Sequence, residues 1–264
     1  GLSQAIYISS TERITGETSD INLYLCKFQN INVPNDSGGA LFSTYSVSLD
    51  SCIFYNLHAK TGGAFSICSN LNVQNTDFQN ISAAYYGFAE ISPNSPSIVI
   101  ERSIVNNINT QSTSGFRRHD GFETRLTYTN YTNLRTSSMV SLGEFGRTPN
   151  AIFSFNYVAD CLASEKNGAL SFWQCENFLC SDILFLNITV GNPDVSHANG
   201  IVVWLDGSLQ TGKFIRCAFF KCQTIYKGHG SLLYAEASSK ITVSDCQFEE
   251  RKEKVFNSNS NVFL

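Results

Sequence analysis

The chain has 264 residues, a formal net charge of −4 and only 15% charged residues, below the roughly 25% usual in soluble domains. The absence of a basic stripe argues against nucleic acid as a partner, and no apolar run approaches the ~20 residues that a membrane-spanning helix needs. Phe, Asn, Ser and Thr are abundant, which suits a polar but uncharged surface of the kind common in secreted β proteins.

In chain order, Ala5-Ile6-Tyr7-Ile8 reads as the third strand of a coil whose beginning is missing. Nine anchors follow: Phe28, Phe54, Phe78, Val105, Tyr131, Tyr157, Phe185, Phe219 and Phe248. Successive spacings are 26, 24, 27, 26, 26, 28, 34 and 29 residues. Periods of this size signify stacked supersecondary units. Five residues before the anchors stand Leu23, Leu49, Val73, Ile100, Leu126, Ile152, Cys180, Phe214 and Val243, all apolar. The column seven before is also mostly apolar, and the column two before is mostly small. Because offsets −7 and −5 differ in parity from −2 and 0, one straight strand cannot bury all four. The chain therefore turns near −4 to −3, at residues such as Asp50–Ser51, Gln74–Asn75 and Ser244–Asp245.

About ten residues after each anchor comes a third strand, usually opened by glycine: Gly38-Gly39-Ala40-Leu41, Gly62-Gly63-Ala64-Phe65, Asn167-Gly168-Ala169-Leu170, Asn199-Gly200-Ile201-Val202 and Gly230-Ser231-Leu232-Leu233. Three short strands per turn with no helical periodicity predict an all-β chain. It is one right-handed parallel β-helix of about nine to ten coils over residues 1–264. Asn261-Val262-Phe263-Leu264 reads as the start of an unfinished coil, so the chain is expected to be a segment of a longer solenoid.

Two residues after the anchors, Asn30, Asn56, Asn80, Asn107, Asn133 and Asn187 form a column. Its place beside buried anchors predicts an internal amide ladder at a corner. Of four Asn-x-Ser/Thr sequons, Asn80 and Asn187 then lie sequestered. Asn35, on a loop, and Asn130, pointing outward, remain as usable glycosylation sites. Among nine cysteines, Cys26 with Cys52 and Cys217 with Cys246 share a column on adjacent coils. Coil spacing permits either disulfides or a buried thiol stack there. No Cys-x-x-Cys pair occurs, so neither a zinc site nor another metal or cofactor is expected.

Gly-Gly-Ala-(aliphatic) paired with Phe-x-(x)-Asn resembles the repeats of the polymorphic outer membrane protein family. Here the pairs are Gly38-Gly39-Ala40-Leu41 with Phe28-Gln29-Asn30-Ile31, and Gly62-Gly63-Ala64-Phe65 with Phe54-Tyr55-Asn56-Leu57. Degenerate copies run through most of the chain, and the Asn stands two residues after the Phe rather than three. The resemblance implies a surface-displayed ectodomain used for adhesion, within the wider class of pectin lyase-like right-handed β-helices.

That wider class includes polysaccharide-degrading enzymes, so catalysis has to be weighed. Gly228-His229-Gly230 resembles a polygalacturonase element, but Asp160, Asp206 and Asp245 are scattered where clustered carboxylates are needed. The most charged stretch, Arg117-Arg118-His119-Asp120, offers a recognition patch or a self-neutralising surface. Trp173 and Trp204 follow glycines by five and four residues. That difference points them opposite ways, and a core role weighs ahead of an aromatic sugar platform, but both stand with residues 117–120 as candidate binding residues. Insertions at residues 143–149 and 191–198 are the expected binding loops. The expectation is a secreted or cell-surface, non-catalytic adhesin-like solenoid that binds protein or carbohydrate. The alternatives are an extracellular filament assembled end to end and a polysaccharide lyase or hydrolase with an atypical site.

Overall fold

A computed structural model of the chain describes residues 7–9, 14–16, 20–91, 97–111, 115–119, 121–137, 141–164, 168–191, 201–206, 211–224, 232–235, 240–249, 256–258 and 261–263. The described elements are all strands. They form three parallel sheets, each linking one strand from every successive coil, so the chain is a β-solenoid.

Each coil runs in the same order, as in the second: a lead strand (Val47–Asp50), an anchor strand (Ile53–Thr61) and a glycine strand (Phe65–Ile67). These three strands belong to what we call the lead, anchor and glycine sheets. Seven regular coils run from Ile21 to Asp206, about seven turns rather than the nine to ten expected. Beyond them the anchor strands shrink to Ala218–Phe220 and Gln247–Phe248.

Register in the anchor sheet is Phe28↔Phe54↔Phe78↔Val105↔Tyr131↔Val158↔Phe185↔Phe219↔Phe248. Tyr157 is therefore not an anchor; it pairs with Asn130 and Leu184, and Val158 is the buried residue. The slip moves that coil's columns by one, so Phe153 rather than Ile152 faces inward.

Phe28, Phe54 and Phe78 stack at centroid distances of 4.7 and 4.8 Å, and Phe185, Phe219 and Phe248 at 5.1 and 5.2 Å. Between these stacks two anchors shrink to Val105 and Val158. There the interior is filled from other strands, by Phe116, Phe145, Phe153 and Phe172, in ring contacts of 5.0 to 5.7 Å. Close packing demands such volume compensation across facing positions.

The expected turn at −3 is present in every coil. Leu25, Ser51, Asn75, Arg102, Tyr128, Phe155, Asp182, Arg216 and Asp245 all have φ between 47° and 56°. A left-handed residue lets two consecutive side chains face outward and so resets the alternation. The same device recurs at +2, where Asn30, Asn56, Asn80, Asn107, Asn133, Asp160, Asn187 and Lys221 have φ of 51° to 56°. The asparagine column is consequently exposed, not internal. Asn tolerates this conformation better than most residues.

The buried ladder is instead the column at −2. The backbone N–H of Cys52, Thr76, Ser103 and Thr129 donates to Thr76 Oγ1, Ser103 Oγ, Thr129 Oγ1 and Asn156 Oδ1, at 3.3, 3.2, 3.4 and 2.9 Å. The hydroxyls in turn donate to the carbonyl two residues back, as Thr76 does to Gln74 at 2.7 Å. Corner amides thus find partners on the next coil, as buried backbone groups must.

The glycines serve two needs. Gly62 takes φ 55°, while Gly63 packs so closely that a Cβ would stand 2.2 Å from the Gly87 carbonyl oxygen of the next coil.

Candidate functional site

The lead sheet presents its outer face through two columns in strict register. One reads Glu123, Asn150, Asn177 and Thr211; the other reads Arg125, Ile152, Leu179 and Lys213. Each step is one coil, ~4.8 Å. The result is a row of amides and a hydroxyl beside a row whose middle is aliphatic. Phe122, 74% exposed, stands at one side. Together these residues line an open groove of about 630 Å³.

Ile152 and Leu179 are only half-buried because the strands Asn150–Ser154 and Asn177–Ser181 turn Phe153 and Cys180 into the core. Arg125 donates to Glu123 at 2.9 Å, a pair that spends its charge locally. Lys213 brings a cation to the far end of the groove.

Glu123 is the one carboxylate among the described lining residues. Glycosidic cleavage uses two, roughly 5 to 9.5 Å apart. Elsewhere three described carboxylates are tied into local pairs. Arg216 holds Asp182 with two bonds of 2.6 and 2.8 Å and lowers its pKa. Asp160 accepts from Asn187 at 2.6 Å, and Asp50 from Asn75 at 2.9 Å. No group of three or more His, Cys, Asp or Glu side chains converges on a metal-sized site among the described residues.

Of the charged stretch 117–120, Asp120 lies outside the described residues. Arg117 pairs in register with Glu90 and Glu144, and Arg118 with Ile91 and Phe145. Arg118 therefore occupies a register position whose neighbours are core residues. Gly228-His229-Gly230 and residues 192–198 of the second expected loop also lie outside the described residues. The first expected loop is largely no loop: Gly143–Gly146 is a strand of the glycine sheet.

The two tryptophans face the same way, contrary to expectation. Ala169 and Leu170 bond the Val202 carbonyl, so the slot of Gly168 is filled one coil on by Ile201 rather than Gly200, and Trp204 pairs with Ser171. Both tryptophans are then on the outer side of the glycine sheet, half-buried and outside the core cluster. Tyr234 follows Trp204 in register, and the Arg147 guanidinium lies 5.4 Å from the Trp173 ring. Trp204 Nε1 is buried without a hydrogen-bond partner.

The asparagine ladder runs along another edge. Asn56, Asn80 and Asn107 each donate from Nδ2 to Oδ1 of the preceding rung, at 2.7, 3.0 and 3.0 Å, whereas Asn133 switches to Asn106. All four sequon asparagines are exposed, Asn80 and Asn187 included. Asn35 is not on a loop; it sits in the strand Lys27–Ser37 where the register shifts. Asn130 opens an anchor strand.

All nine cysteines are thiols. Cys26 and Cys52 precede the register partners Lys27 and Ile53, and burial pushes the Cys52 thiol up to about 11.

No family model, curated protein or solved structure matches the chain.

The groove was missed by sequence reasoning because anchoring on Tyr157 assigned Ile152 to the buried column. With Val158 as anchor, Ile152 and Leu179 fall in an outward column that reads Asn22, Ser48, Asn72, Val99 and Arg125 in the preceding coils. Two apolar residues in succession there are the legible signal.

Proposed function

We propose that this chain is a non-catalytic recognition solenoid of a secreted or surface-displayed protein, and that it binds carbohydrate in the lead-sheet groove. The observation that carries this is the double column. Asn150, Asn177 and Thr211 offer donors and acceptors at one per coil, beside the aliphatic pair Ile152 and Leu179 and the exposed ring of Phe122. Sugars present just this mixture, hydroxyls at the ring edge and C–H groups on its face. A glycan running parallel to the solenoid axis meets a new polar side chain at each ~4.8 Å step. Binding sites of this kind join an apolar surface to a few placed polar groups.

The single lining carboxylate favours binding over cleavage. The test is a glycan array probed with labelled protein, with new reducing ends assayed in the same samples, with and without calcium. Retention on a subset of glycans, weakened about tenfold by Phe122→Ala in a variant that melts like the parent, is the expected result. Release of reducing ends would overturn the non-catalytic reading. Absence of binding, or binding indifferent to Phe122→Ala and Leu179→Asp alike, would overturn the assignment of the groove.

A further inference from the structure

Cys217 and Cys246 stand at matching places on neighbouring coils. Each precedes a short anchor strand, and those strands pair Ala218↔Gln247 and Phe219↔Phe248. Parallel neighbours at ~4.8 Å fall inside the Cα separation a disulfide tolerates, roughly 4.4 to 6.8 Å. The Cys246 side chain also reaches toward Cys217, whose backbone N–H donates to Cys246 Sγ at 3.4 Å, and the two thiols are hydrogen-bonding neighbours. Each sulfur otherwise points at a carbonyl of the coil before its own, Cys217 Sγ at Cys180 (3.4 Å) and Cys246 Sγ at Phe214 (3.6 Å).

Accessibility separates this pair from the similar one at the other end. Cys26 and Cys52 are 3% and 1% exposed, as Cys217 is at 1%, but Cys246 is only partly buried. Cys246 is therefore the most accessible of these four cysteines.

We propose that Cys217 and Cys246 form a redox-responsive pair that closes to a disulfide with a small oxidised thiol such as glutathione disulfide, stapling the coil that starts at Lys240 to the coil before it. The Cys246 thiolate attacks one glutathione sulfur, forming a mixed disulfide and expelling the other glutathione as thiolate. Cys217 then loses its proton and attacks Cys246 Sγ, expelling the second glutathione. The two protein thiols are oxidised by two electrons, one glutathione disulfide is reduced to two glutathione molecules, and the two protons end on them. The contact with the Cys217 thiol lowers the Cys246 thiol to about 7 and raises that of Cys217. This suits Cys246 to be the first attacker, since a thiol near ambient pH attacks fastest.

The staple falls where the solenoid is paired most thinly. Only two register pairs, Ala218↔Gln247 and Phe219↔Phe248, join the anchor strands of these two coils, where Lys27–Ser37 and Ile53–Thr61 share seven. In a linear repeat each coil is held only by its neighbours, so a covalent link there suppresses opening of the Lys240 coil.

The test is to incubate the whole purified chain in glutathione redox buffers, alkylate the remaining thiols and map disulfides by mass spectrometry. A Cys217–Cys246 linked peptide with Cys26 and Cys52 still alkylatable is the expected result. Amide exchange across residues 240–248 should slow at least roughly tenfold on oxidation, and Cys246→Ser should abolish both effects. Glutathione stopping at Cys246 while Cys217 stays a thiol would overturn the proposal, as would a Cys26–Cys52 link forming first or no link at all. Mapping the unsubstituted protein keeps the test decisive even if Cys246→Ser fails to fold.

Discussion

At position 131 a tyrosine fills a slot that most coils give to phenylalanine or valine, and the consequence can be followed atom by atom. Its hydroxyl is buried, with Thr129 beside it but no hydrogen bond of good geometry. The residue borders a void of about 10 Å³ lined by Phe88, Val105, Phe116 and Leu142 among others, at the lower limit of what holds one water. Burial raises the phenol far above its ordinary pKa, so the group stays protonated at every working pH. An unpaired buried hydroxyl costs about 1 to 3 kcal/mol. Tyr131→Phe removes it while keeping the ring, and is expected to stabilise the fold by about 1 kcal/mol. The measurement is urea unfolding: a higher midpoint with an unchanged slope supports the account. A lower midpoint would show that the hydroxyl is satisfied, by a water in the void.

At the scale of the strand, two left-handed bends that recur from coil to coil, at −3 and +2, decide what faces out around the anchors, and they treat side chains differently. The bend at −3 accepts Leu25, Arg102, Tyr128 and Phe155 as readily as Asn75, and Tyr128 and Phe155 stack across it at 4.7 Å. The bend at +2 is mostly asparagine, because there the amides also link coil to coil. Asn80→Gly keeps the backbone permissive and loses only the two exposed amide bonds to Asn56 and Asn107. Asn80→Ala loses those bonds and also forces a Cβ residue without Asn's local hydrogen bonding into φ near 56°. The expected order of cost is therefore Ala above Gly, with Ala at about 1 to 2 kcal/mol. Equal costs in thermal or urea unfolding would place the whole effect in the ladder rather than the backbone. The same bends explain what could be read from the residues alone. Phe28, Phe54 and Phe78, and the apolar column five before them, announced coils and a turn at −3. The bend at +2 is hidden in the sequence, since a residue beside a buried anchor is normally sequestered too, and so the residues predict an internal Asn ladder where the structure has an exposed one. Tyr157 and Val158 are adjacent and both apolar, so composition does not say which is the anchor. That one-residue ambiguity turned Ile152 inward on paper and concealed the groove it helps to line.

Across the whole molecule, every strand bonds only to the same strand of the coils before and after it. Among the described residues no strand pairing joins coils farther apart, so stability is a sum over coils and the interfaces between them. Removing one whole period therefore leaves every remaining strand with a partner in the correct register. Asp77 pairs with Ile104, so excision of residues 78–104 joins equivalent points and lays the strand Ile104–Thr110, with Asp77 in place of Ile104, directly on Ile53–Thr61. The new interface sets Val105 against Phe54, a smaller anchor against a larger one, so some packing is lost at that seam. The shortened chain is expected to fold with the same β circular dichroism and a thermal midpoint within about 10 °C of the parent. Excising residues 78–90 removes half a period instead. It sets the lead strand Ser97–Glu101 after Asp77, in the path of an anchor strand, and turns inward-facing columns onto surfaces they do not match. That chain is expected to be unfolded or aggregated. If both deletions unfold the protein, coil-by-coil additivity is wrong. If both are tolerated, the register of the buried columns is not what holds the solenoid together.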